Sequence, residues 1–293
     1  MILRVARLAA ALAVLQSPGP FHVETRLVVL QATVRNNRGE LVTGLTRDAF
    51  TVLENGTRQP IVLFGKDDVP VSLGLLIDNS GSMRTRRAKV EAAALEFARA
   101  SNPQDEMFVL NFADKSRIDV PFTSDVRILE AGISRVDALG GTAMRDAIAA
   151  AEDYVTQHAR RDRKVLVVIT DGNDNASVTA LDRIRTAAEQ HEIAVYAVGL
   201  LGDQDPHAGR MRRDLTQLTE ATGGLAYFPV SVEQVGDVAL ELARQIRTQY
   251  TIGYTPLNQS LDGSYRQIRV TAKGSQPLVV RTRTGYRATP AGP

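Results

Sequence analysis

Val71-Ser72-Leu73-Gly74-Leu75-Leu76-Ile77 runs without a break into Asp78-Asn79-Ser80-Gly81-Ser82-Met83. An apolar run of this length has the pattern of a strand buried on both faces of a parallel sheet. Asp78, Ser80 and Ser82 alternate at its carboxyl end, where open α/β sheets place their ligands. One carboxylate and two hydroxyls on a tight glycine-containing turn make an all-oxygen set suited to a hard cation such as Mg²⁺. Two later stretches complete the set. Gly140-Gly141-Thr142 precedes a helical pattern and offers another hydroxyl, and Val165-Leu166-Val167-Val168-Ile169-Thr170-Asp171-Gly172 is a second apolar run ending in a carboxylate.

Asp78 and Asp171 are the only charged members of the group, so a divalent ion there is neutralised but not over-neutralised. Such an ion keeps an attraction for an outside carboxylate, and Mg²⁺, which gives up its waters reluctantly, suits a site of few protein ligands. A purely structural role is the alternative for two of the hydroxyls, because Ser82 and Thr142 precede helical patterns and are good N-caps. Capping does not account for two aspartates ending two apolar strands.

The pattern D-x-S-x-S, then T, then T-D-G resembles the metal-ion-dependent adhesion site of the von Willebrand factor A domain. Asp78, Ser80 and Ser82 match the first element, Thr142 the threonine and Asp171 the last aspartate. The resemblance implies a doubly wound, Rossmann-like α/β fold. It implies Mg²⁺, or Mn²⁺ or Ca²⁺, held by these five residues, with one coordination position left for an Asp or Glu of a protein partner. It also implies adhesion or assembly rather than catalysis.

Working outward, residues 71–248 alternate apolar strands with amphipathic helices, which predicts a mainly parallel sheet covered on both faces. Met144, Ala147, Ile148, Ala151, Tyr154 and Val155 recur at helical spacing after Thr142. Both chain ends read differently. Residues 26–34 are rich in β-branched side chains, and Asn55-Gly56 between two short strands is a strong hairpin signal. A one-turn helix capped at Thr46 precedes that hairpin. Residues 249–254, 265–272 and 278–283 read as three more strands. The expected organisation is a signal peptide over 1–20 and a small β-sandwich built from 21–69 and 249–287. An α/β domain over 70–248 is then inserted in the sandwich. The runs Thr43-Gly44-Leu45-Thr46, Asp48-Ala49-Phe50 and Glu54-Asn55-Gly56, with the ending from Gln249-Tyr250 to Gly285-Tyr286, resemble bacterial A-domain-related proteins common in Acidobacteria. That likeness implies a cell-envelope setting.

Arg4 and Arg7, the apolar stretch 8–15 and Gln16-Ser17-Pro18-Gly19-Pro20 have the order of an export signal. An exported chain in the periplasm, envelope or medium follows, with membrane association at most through that segment. No other stretch is long and apolar enough for a span. The 293 residues carry 35 Lys and Arg against 33 Asp and Glu, and the basic clusters 84–87 and 160–164 lack interleaved aromatics, so nucleic-acid binding is not indicated. With no cysteine there is no disulfide, zinc–thiolate site or thiol nucleophile. A phosphatase of haloacid dehalogenase type also places Asp at the end of its first strand, but needs a second carboxylate where Ser80 stands. A calcium loop at Asp171-x-Asn173-x-Asn175 lacks glycine at its sixth position (Ala176) and glutamate at its twelfth (Asp182). His22, His158, His191 and His207 are scattered and form no catalytic pattern. A structural subunit whose metal only stiffens the domain is the remaining alternative.

Overall fold

The computed structural model describes residues 27–134, 140–171, 174–201 and 206–289. The candidate export signal lies outside them. In chain order the strands and helices open with β1 (Val28–Asn36), β2 (Phe50–Glu54), β3 (Thr57–Gln59), β4 (Ile61–Gly65), β5 (Val71–Asp78), α1 (Arg87–Ala100), β6 (Glu106–Phe112) and β7 (Ser116–Thr123). They continue through α2 (Val126–Ile133), α3 (Met144–His158), β8 (Arg163–Thr170), α4 (Leu181–Gln190), β9 (Ile193–Gly199), α5 (Ala208–Thr222), β10 (Ala226–Tyr227) and α6 (Val235–Arg247). The last strands are β11 (Tyr250–Tyr254), β12 (Tyr265–Ala272), β13 (Leu278–Arg281) and β14 (Gly285–Arg287).

Six strands form the central sheet in the order β10-β9-β8-β5-β6-β7. All neighbours are parallel except β6 and β7. All eight residues of β5 are buried, as the unbroken apolar run requires. Its side chains alternate between two cores. Leu73, Leu75 and Ile77 pack with α1, α2 and α6, whereas Leu76 packs with α3, α4 and α5. Gly74 faces the second core, where an added Cβ would lie 2.4 Å from the Phe108 ring.

The chain leaves β5 toward β6 on one side and later returns to β8 on the other. The strand order therefore reverses at β5, and such a switch point opens a crevice at the strands' carboxyl ends. Asp78 and the end of β8 stand at that crevice.

Two four-stranded antiparallel sheets, β13-β1-β11-β4 and β14-β12-β2-β3, draw strands from both chain ends. Their shared core holds Leu30, Val52, Tyr250, Ile252, Tyr254 and Val270. Phe50 lies 5.0 Å from Tyr250 and 5.6 Å from Phe64, ring centre to ring centre. Buried Glu54 accepts the hydroxyls of Tyr254 and Tyr286 at 2.8 and 2.9 Å, so its charge is met by donors from the C-terminal segment. The expected turn after Thr46 is a 3₁₀ helix, Arg47–Ala49, but the Thr46 side chain makes no capping bond. Among the described residues no helix is long and apolar enough to cross a membrane.

Candidate metal centre

Asp78 is fully buried where β5 ends, and Ser80 and Thr142 are nearly so. One Asp78 oxygen accepts the Ser80 backbone N–H at 2.8 Å and the other accepts the Thr170 hydroxyl at 2.6 Å. Burial raises the Asp78 carboxyl above its ordinary pKa, against the lowering effect of those hydrogen bonds, and nearby Asp171 raises it a little further. The chain then turns through a 3₁₀ helix, Gly81–Thr85, pinned by fully buried Met83. This turn brings the Ser80 and Ser82 hydroxyls within 3.1 Å of each other. Ser82, which is exposed, donates from Oγ to Asp171 Oδ1 at 2.8 Å. The other Asp171 oxygen accepts from Arg86 Nη1 at 2.5 Å.

Thr142 joins through its loop. Gly81 N–H donates to the Gly140 carbonyl at 3.3 Å, which ties the two turns together. Asn175 Oδ1 accepts the Thr142 N–H at 2.9 Å, while the Thr142 carbonyl accepts from the Asn175 and Ala176 amides. Asp114 Oδ1 accepts the Gly141 N–H at 2.6 Å. Gly140 has φ +92°, and an added Cβ there would meet Asp114 Oδ2 at 2.1 Å, so this approach needs glycine.

All five predicted residues thus sit at the carboxyl ends of β5 and β8 or in the loop docked beside them. The capping alternative does not hold for Ser82 and Thr142. The N-cap positions of α1 and α3 are Arg86 and Ala143, and neither helix has a side-chain capping bond. Sequence reasoning missed Asp114, Arg86 and the Asn175 contact with Thr142. Asn175 carried a weak signal in the Asp171–Asn175 acidic and amide run, read above only as a poor calcium loop. Asp114 and Arg86 carried none, since their partners are far away in the chain.

The group suits a small hard cation. Among the described residues no cluster of three or more His, Cys, Asp or Glu could hold a metal, so any ion here depends on hydroxyls as well as carboxylates. The 3.1 Å between Ser80 and Ser82 Oγ is close to the roughly 3 Å edge of an octahedron with ~2.1 Å bonds. Ser82 opens the group to solvent, which leaves room for an outside ligand.

Residues 73–173 match the family model for the von Willebrand factor type A domain, and the α/β unit has the fold of that class. Among solved structures the chain is similar to a von Willebrand factor type A protein from Catenulispora acidiphila. Their identity is 14% with a TM-score of 0.55, over 92% of this chain and 75% of that one. An aerotolerance-related membrane protein from Bacteroides fragilis shares 17% identity at a TM-score of 0.51, over 60% of this chain and 98% of its own. Proximal thread matrix protein 1 from the mussel byssus, solved with a zinc-occupied MIDAS motif, shares 13% identity at a TM-score of 0.53. That match spans 66% of this chain and 49% of the mussel protein. At these identities the likeness is one of fold. Curated proteins give no significant match.

Proposed function

We propose that the chain is a divalent-metal-dependent protein-binding module that works in adhesion or assembly at the bacterial cell envelope and is not an enzyme. The observation that supports this reading is the run of contacts joining Asp78, Ser80, Ser82 and Asp171 at one crevice, with the Thr142 loop docked beside them through Gly140. The five residues offer two carboxylates and three hydroxyls, with an exposed edge at Ser82. Mg²⁺, or Mn²⁺ or Ca²⁺, would be held by these oxygens, and the ion would supply a Lewis-acidic point that attracts a partner's Asp or Glu. The protein's part is to orient the oxygens and keep the ion's inner side dry. Thr170 and the Ser80 amide hold Asp78 in place, and Ser82 does the same for Asp171. A carboxylate arriving from outside gains from the lowered local dielectric.

Mn²⁺ titration by calorimetry tests the metal. Wild type is expected to bind one ion, and Asp78→Ala, folded by circular dichroism, is expected to bind none. Unchanged binding in the variant would sink the assignment. Capture of partners from an envelope extract, with Mg²⁺ against chelator, tests the rest. Thr142→Ala is expected to weaken capture more than it weakens metal binding, because one neutral ligand matters more to the ion's geometry than to its charge balance. Capture that survives both chelation and Thr142→Ala would place the interaction elsewhere and leave the metal a structural role.

A further inference from the structure

Arg86 and Arg87 follow the Ser80–Ser82 turn directly, yet they have different commitments. Arg87 is buried and fully engaged: its Nε donates to Glu91, its Nη1 to Asn79 and its Nη2 to the Ile133 carbonyl. It is part of the framework. Arg86 stays about one-third exposed, and it reaches back over the turn to Asp171 Oδ2. Asp171 itself has no exposed side-chain surface. The two carboxylates of the crevice are therefore satisfied in different ways. Asp78 is held by neutral donors, a hydroxyl and an amide. Asp171 is held by one hydroxyl and one full positive charge.

A guanidinium at 2.5 Å from a buried carboxylate is a strong charge-assisted contact. It cancels the charge of one of the two carboxylates, Asp78 and Asp171, among the five site residues. It also stands where the ion's own charge would repel it. We propose that Arg86 is an internal counter-ion that holds Asp171 in the metal-free protein and competes with the divalent cation for that carboxylate, so that metal binding and release of Arg86 are coupled. The inference rests on the metal site proposed above and concerns how that site is regulated. By linkage, whatever the cation costs Arg86 in contact with Asp171, Arg86 costs the cation in affinity. Arg86 can turn away because its side chain already reaches solvent. The turn that carries it remains fixed by Met83 and by the Arg86 backbone N–H, which donates to the Met83 carbonyl at 2.9 Å.

The test compares Mn²⁺ affinity by calorimetry in wild type, Arg86→Gln, Arg86→Lys and Asp171→Asn. Arg86→Gln removes the charge and is expected to bind Mn²⁺ at least about tenfold more tightly, the scale of a unit charge acting on a divalent ion at short range in a largely aqueous setting. Arg86→Lys keeps the charge and is expected to stay near wild type. Metal-free melting gives a second readout. Arg86→Gln leaves Asp171 short of a partner, so its melting temperature is expected to fall without metal and to rise more on adding Mn²⁺ than in wild type. Equal or weaker Mn²⁺ affinity in Arg86→Gln would overturn the inference while leaving the metal site standing. Absence of Mn²⁺ binding in wild type and in Arg86→Gln would instead remove the metal site itself, and the inference with it. If Arg86→Gln folds only with Mn²⁺ present, chelator titration of the loaded protein decides. Half-release at higher chelator than wild type supports competition, and release at the same or lower chelator overturns it.

Discussion

Glu152 lies on α3 with only 2% of its surface exposed, and its Oε1 has no hydrogen-bond partner among the described residues. Burial pushes its carboxyl up to about 8, against a lesser pull from Arg183 and a small push from Asp153. The acid is thus protonated in the folded protein at neutral pH and ionised once the chain unfolds. Between the ordinary value of 4.5 and about 8 the folded state holds the extra proton. This contribution to stability is fully present below pH 4.5 and is lost as pH rises through about 8. Glu152→Gln is expected to remove that dependence and to be more stable than wild type at pH 8.5, by on the order of 2 kcal/mol after allowing for local relaxation. Urea unfolding at pH 5, 7 and 8.5 measures it, and parallel pH curves for the two proteins would refute the assignment. Nothing in the sequence marked Glu152, because a glutamate in a helix reads as a solvated face until its neighbours are known. The metal-site residues were more legible at this scale. Asp78 and Asp171 end apolar runs, and a carboxylate at that point of a parallel sheet has few places to go except the crevice. Arg86 was hidden for the opposite reason, since Asp171 is 85 residues away in sequence and only the docking of β5 beside β8 joins them.

At the scale of elements, α5 ends at Gly223, which takes φ +86° and caps the helix with bonds from its N–H to the Thr219 and Glu220 carbonyls. The next residue has no freedom either. A Cβ on Gly224 would lie 1.9 Å from the Val195 carbonyl oxygen, and one on Gly223 would lie 2.6 Å from the Arg283 backbone nitrogen. Those are backbone atoms of β9 and of the segment before β14, so neither can swing aside. Gly224→Ala is expected to destabilise the fold by roughly 3 kcal/mol or more in urea unfolding. A loss under about 1 kcal/mol would mean that β9 yields there. The Asn55-Gly56 turn was readable as a hairpin, because glycine's conformational freedom leaves a local mark. Asn55 and Gly56 both have positive φ, and β2 pairs with β3 across them. Helix caps were less readable. Ser82 and Thr142 have the right chemistry for capping, but their backbones are committed to the crevice loops, and tertiary docking overrode the local preference. The antiparallel direction of β7 was equally silent, since its burial pattern is that of any half-exposed edge strand.

For the whole molecule, we propose that residues 70–248 are a domain inserted in a sandwich made by 21–69 and 249–287. The pairing supports this. β1 lies between β11 and β13, β4 pairs with β11, and β12 pairs with β2, so strands of the two segments depend on each other. Within 28–65 the only paired strands among the described residues are β2 and β3, and a lone hairpin is marginal in water. The two connections to the α/β unit run side by side. Arg247 bonds Asp68 at 2.7 Å, and buried Arg163 donates to the Val69 and Ile246 carbonyls at once. Termini this close let an inserted domain fold alone. A fragment of residues 68–249 is therefore expected to unfold in one cooperative transition and to bind Mn²⁺ like the full chain, whereas 27–69 alone shows no transition. The choice of end point sharpens the test. Gln249 accepts from Arg163 Nη2 at 2.6 Å and donates to the Tyr196 hydroxyl at 3.0 Å, both inside the protein. Ending the fragment at 248 leaves those two buried groups short of a partner, at an expected loss of about 1–3 kcal/mol relative to 68–249. Equal stability of the two fragments would show that Gln249 belongs to the sandwich alone. A 68–249 fragment that never folds would show that the α/β unit needs the sandwich, and the insertion boundaries would have to be abandoned.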